Sequence, residues 1–150
     1  MKLSQRVCKR IEALSAPGRI EEQMDQTRVT VDVEAVDRLG MLVRRVELEK
    51  TEAPAGPIET VLRRQAQAVT DKIAYLDGEL KVIEVDGVHK AAQLRSKRPY
   101  KDDGGTEFIE VKLRGGNSVS VERRKGQNPA SFHVSKDELG RLVGDLEDVI

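Results

Sequence analysis

Apolar positions recur along this chain in two rhythms, one helical and one of period two. At the start Leu3, Val7, Ile11 and Leu14 fall at helical spacing, and Ala16-Pro17-Gly18 closes that run with two residues that do not continue a helix. Residues 19–26, RIEEQMDQ, hold only Ile20 and Met24 as anchors and read as one or two further helical turns. From Arg28 the period drops to two. Val29, Val31 and Val33 face one way and Thr30, Asp32 and Glu34 the other, which predicts a strand with one dry side. After DRLG at 37–40, the run MLVRRVELE reads as the antiparallel partner. Val36, Leu39, Val43 and Val46 also fit a helix, and Gly40 with the preceding valine alternation favours the hairpin.

TEAPAGP, residues 51–57, is a connector, because its prolines and glycine suit neither a helix interior nor a central strand. Pro57 opens a helix whose Ile58, Val61, Leu62, Ala66, Val69, Ile73 and Leu76 share one side, with Glu59 near the positive end of the dipole and Gly78 as the stop. A meander follows. ELKVIEV and VHKAAQL flank Asp86-Gly87, which predicts a tight hairpin turn and puts His89 in a strand. TEFIEVKLR and SVSVERR alternate cleanly on either side of GGN, and NPASFHVS adds a short edge strand. Ser135 and Glu138 form a capping box that opens a last helix with the stripe Leu139, Leu142, Val143 and Leu146.

The element order is therefore helix, two strands, helix, four or five strands, helix. Strands that follow one another without crossover helices predict an α+β fold, an antiparallel sheet with a β-meander in its second half packed against two or three helices. The 150 residues suffice for one core, so residues 1–150 read as one α+β domain, with 1–26 as a candidate N-terminal helical arm. The halves 27–77 and 78–150 each run from strands to a helix, without sequence identity between them.

Composition narrows the function classes. Charged residues make up 35% and aromatics 3% with no Trp, so stacking platforms for sugars or bases are scarce. Formal net charge is zero, and any cationic face must be local. The single cysteine, Cys8, cannot form an intramolecular disulfide and lies beside the first apolar stripe as a packed hydrophobe. Arg6, Lys9, Arg10 and Glu12 interrupt the N-terminal segment before an apolar run develops, which argues against a signal peptide or a membrane span and makes the cytoplasm the expected location.

Motif chemistry is sparse. His89 and His133 have no second His or Cys at ligand spacing, and GGTE and RGGNS lack the lysine and helix context of a phosphate loop. His133 and Asp137 could meet at the start of the last helix, as a bland strand-end contact. Asp32 with Glu34, and Asp102 with Asp103, are carboxylate pairs without an apolar wall to separate their pKa values. No catalytic, cofactor-binding or metal-binding residue is therefore assigned, and no cofactor is expected. One stretch stands out: from Val88 to Lys101 there is no acid, while Arg95, Lys97 and Arg98 gather beside Tyr100, and Arg123, Arg124 and Lys125 end a strand that pairs nearby. The leading expectation is a non-catalytic protein–protein interaction or assembly module, with a homodimer among its forms. The alternative is a nucleic-acid-binding domain that uses Arg95, Lys97, Arg98, Tyr100, Arg123 and Arg124, residues 95–101 and 123–125 forming one patch. An enzyme with an unrecognised site ranks third.

Overall fold

In the computed structural model, which describes residues 2–150, the stripe of Leu3, Val7 and Ile11 is fully buried on α1 (Leu3–Glu12). The chain then enters an antiparallel sheet: β1 (Gly18–Met24), β2 (Thr27–Val36) and β3 (Met41–Lys50). After α2 (Ile58–Lys72) come β4 (Leu80–Asp86), β5 (Ala91–Ser96), β6 (Tyr100–Asp102), β7 (Gly105–Arg114), β8 (Ser118–Lys125), β9 (Asn128–Ala130) and β10 (Phe132–Val134). The chain closes on α3 (Lys136–Val149), whose capping box is formed by Ser135 and Glu138 as the spacing predicts. The α+β class and the meander are thus observed.

The main path of the sheet runs β1-β2-β3-β8-β7-β5-β4, with β6 beside β7, β9 beside β8 and β10 beside β3. The two halves of the chain therefore join through β3 and β8, and the edges are β1 and β4. Cross-strand neighbours share a face, so the register sorts the side chains into rows. Ile20, Val31, Val46, Val121, Val111 and Leu94 form one row, fully buried with the stripes of all three helices in one apolar cluster. Burying each such side chain stabilises by about 1.5–3 kcal/mol. Among the described residues the opposite face carries mainly charged and polar side chains, and no helix packs on it.

Three local expectations are corrected. Residues 18–24 are a strand, not helical turns: Ile20, Glu22 and Met24 point inward and Arg19, Glu21 and Gln23 outward. The alternation is hidden because Glu22 occupies an inward position, where Arg10 of α1 pairs with it at 2.9 Å. Inward charge on an edge strand is a recognised device against further pairing. The turn after β4 spans Gly87–Lys90, not two residues. The Asp86 carboxylate accepts the Val88 and His89 N–H groups at 3.0 Å, and the left-handed residue is Lys90, with φ 54. His89 therefore sits on that turn and not in a strand. Finally, α2 stops at Lys72, before Gly78, because Ile73 leaves helical geometry while keeping its side chain buried.

Candidate functional site

The run QLRSKRPYKDDGG is a strand with a break in it. β5 and β6 both pair with β7, and the interruption at 97–99 contains Pro99, which has no N–H to give. Ser96 repairs the ladder: its hydroxyl accepts the Ile109 N–H at 2.7 Å, and the Lys97 N–H turns to the Glu79 carbonyl at 2.7 Å.

The cations of this region do not gather on one surface. Successive residues of a strand project to opposite faces, so Arg123 stands opposite Ile109 on the helix side while Arg124 stands opposite Phe108 on the polar side. Arg123 is held by Glu107 at 3.0 Å and Asp77 at 3.7 Å. Arg124 pairs with Glu122 at 3.4 Å and donates to the Gln127 carbonyl at 2.6 Å. The Arg95 guanidinium lies over the Phe108 ring, 4.7 Å from its centroid, with its Nε 3.6 Å from Glu110. Lys97 pairs with Glu79 at 3.3 Å. Among the described residues, Arg98 has no carboxylate within ion-pair distance, and it borders a depression of about 300 Å³ with Asp77, Gly78, Glu79 and Lys97. Tyr100 is 57% exposed on β6, opposite Glu107. The structure thus groups Arg95 with Arg124, and Arg123 with the Asp77 end of the region, and it sets an acid beside most of these cations.

The open face of the sheet carries a cross-strand row that reads Arg19, Asp32, Arg45, Glu122, Glu110, Arg95, Lys81. Its centre places two glutamates opposite each other, an arrangement that destabilises unless cations flank it. They do: Arg45 pairs with Glu122, and Glu110 accepts from Gln93 at 2.7 Å with Lys112 at 3.3 Å. Glu110 is only 5% exposed, so these contacts replace most of its hydration. Burial alone would lower the pKa of Arg45, but Glu47 and Glu122 outweigh it and the pKa is raised. The shallow depressions on this face, about 260 Å³ over β1–β3 and about 190 Å³ over β4, β5 and β7, are smaller than pockets that enclose drug-sized ligands. The Glu110–Glu122 pair was legible in principle: counting from the GGN turn, with Arg114 opposite Ser118, brings the two glutamates face to face.

Other reactive groups are scattered. His89 Nδ1 lies 2.5 Å from Asp86, and that carboxylate raises the histidine pKa above its ordinary value. The Tyr75 hydroxyl donates to Asp145 at 2.7 Å. Cys8 packs against Gly140, and burial, then the carboxylates of Glu12 and Asp137, raise its pKa, which leaves less thiolate. His133 lies on β10, opposite Leu42. Among the described residues no group of three or more His, Cys, Asp and Glu could hold a metal ion, and no helix is long and apolar enough to cross a membrane.

The two edges of the sheet, β1 and β4, are built differently. β1 is defended by α1: besides the Arg10–Glu22 pair, Arg6 donates to the Gln23 carbonyl at 3.5 Å. β4 also packs on a helix, α2, but among the described residues no helix side chain hydrogen-bonds or ion-pairs with it. Val82 is 46% and Ile83 43% exposed on it, and Val88 on the following turn is 86% exposed. A register shift between Val82 and Glu84 marks a bulge at Ile83. Comparison of the chain with family models, with curated proteins and with solved structures finds no match.

Proposed function

We propose that this chain is a non-catalytic protein-interaction module that docks its partner on the edge strand β4. The observation that carries the reading is the unequal treatment of the two edges. The first ends in inward charge bonded to helix side chains, whereas the second, though it packs on α2, presents Val82 and Ile83 half-exposed at the end of the sheet. A free edge offers main-chain hydrogen bonds for affinity and alternate side chains for selectivity, the chemistry of strand addition. Exposed apolar side chains gathered on one strand and its turn add a driving force that scattered ones would not.

A photo-crosslinking residue placed at Ile83 tests this in cells of the source organism, with the same residue at Glu21 on β1 as the comparison. Discrete protein adducts from position 83 and none from position 21 are expected. Equal labelling of both edges, or none at either, rejects the reading.

A further inference from the structure

The segment Leu80-Lys81-Val82-Ile83-Glu84-Val85 reads apolar, charged, apolar, apolar, charged, apolar, and it reads the same backward with lysine and glutamate exchanged. In a regular strand that symmetry would be useless, because positions related by the reversal would lie on opposite faces. The bulge at Ile83 removes the obstacle. Lys81 stands opposite Arg95 and Glu84 opposite Gln93, both on the polar face, while Leu80, Val82 and Val85 stand opposite Ser96, Leu94 and Ala92 on the helix face. The extra residue therefore gives both halves of the segment the same facing.

Building on the docking reading of β4, we infer that its partner is a second copy of this chain, paired antiparallel about a two-fold axis between Val82 and Ile83. In that register Lys81 faces the partner's Glu84, Leu80 faces the partner's Val85, and Val82 faces the partner's Ile83. Each contact occurs twice, as a two-fold interface requires, and the pairing consumes the edge, so growth stops at two copies. The other edge cannot do the same. β1 has Glu21 and Glu22 at its centre, and antiparallel self-pairing there would oppose glutamate to glutamate. A strand pair of this length is smaller than a standard stable interface, so the dimer is expected to dissociate in the micromolar range or above.

The charge arrangement makes the register testable. Lys81→Glu sets glutamate against glutamate at both contacts, and Glu84→Lys sets lysine against lysine at both. Mixing the two variants restores opposite charges at both contacts of a heterodimer. Sedimentation velocity across the micromolar to sub-millimolar range should show a monomer–dimer equilibrium for the unaltered chain. Dissociation constants should rise about ten- to hundredfold for each single variant, with near-original affinity in the mixture. Thermal melts of the diluted, monomeric proteins should agree within a few degrees, with Lys81→Glu slightly raised by its new opposite-charge pairing to Arg95, since both positions lie on the exposed side of an edge strand. Single variants that dimerise as before, or a mixture that stays monomeric, overturn the register. An unaltered chain that stays monomeric throughout overturns self-pairing itself. The crosslinking experiment separates these failures from that of the docking reading, because adducts heavier or lighter than twice the chain mass at position 83 keep docking while removing the second copy.

Discussion

Gly140 of α3 packs closely against Cys8 of α1. Ser4 and Cys8, one turn apart on α1, face Gly140 and Gly144, one turn apart on α3. A Cβ built at Gly140 would lie 2.4 Å from the Cys8 sulfur, whereas one at Gly144 would meet Ser4 at an ordinary 3.9 Å. Gly140→Ala therefore combines two opposed effects. Alanine gains about 1 kcal/mol of helix propensity over glycine. The overlap forces the helices apart or the sulfur out of its well, at a cost of about 1–3 kcal/mol. The substitution should leave stability unchanged or lower it by up to about 2 kcal/mol. With Cys8→Ala already made, the obstacle is gone and Gly140→Ala should stabilise by about 1 kcal/mol. Urea unfolding of the four proteins, followed by circular dichroism, measures the difference, and any cost of the cysteine change cancels in the cycle. Gly144→Ala serves as the roomy control and should stabilise in both backgrounds. Equal effects of Gly140→Ala with and without the Cys8 sulfur, within about 0.5 kcal/mol, would mean that the sulfur does not crowd this position.

Tyr75, on the loop after α2, packs against α3, with the Arg141 guanidinium 4.1 Å from its ring centroid and its hydroxyl on Asp145. Burial, then the hydrogen bond to Asp145, raises the Tyr75 pKa above its ordinary value of 10.0. A raised pKa means stability that is complete below the unfolded value and lost as pH climbs past it. Tyr75→Phe should cost about 1–2 kcal/mol at pH 8 by urea unfolding, with a gap that narrows above about pH 10; a constant gap contradicts the assignment. On the turn after β4, the Asp86 carboxylate should hold the His89 midpoint above 6.5 in an NMR titration, so its linkage favours the folded state below that pH and fades as pH rises through the folded midpoint. Asp86→Asn should return the midpoint to the ordinary range, and an unaltered chain that titrates at or below that range would refute the contact.

Elements whose apolar positions kept one period were legible from the sequence: β2, β7, β8 and α3 lie where their valines and leucines put them. What failed had a local physical cause. β1 was hidden because an inward position holds Glu22, whose partner Arg10 is on another element and has no sequence signature. Asp86-Gly87 looked like a two-residue turn because the dipeptide favours one, but the Asp86 side chain satisfied the next N–H groups and extended the loop to Lys90. The basic stretch looked like a patch because a sequence lists cations without their faces. Pleating sends Arg123 and Arg124 apart: acids from the loop before β4 and from β7 reach Arg123 across space, while Arg124 pairs with Glu122 of its own strand.

That distribution of charge bears on where recognition is to be sought. Along the central row of the open face the signs run plus, minus, plus, minus, minus, plus, plus, and the chain as a whole has zero formal charge. Opposite charges a strand apart cancel within a Debye length, about 8 Å at physiological salt, so this face projects little field to steer a distant ligand. Its half-buried members are committed as well: drawing Arg45 onto an outside anion would break its pairs with Glu47 and Glu122 and leave Glu122 with Arg124 alone, a loss that one new exposed ion pair does not offset. A partner that binds here must compete with contacts already made, whereas one that binds β4 meets the outer backbone of an end strand and half-exposed apolar side chains. The free-energy gradient across this molecule's surface therefore runs from the broad charged face toward the narrow edge, which is why the docking proposal rests on seven residues of one strand and not on the larger area beside it.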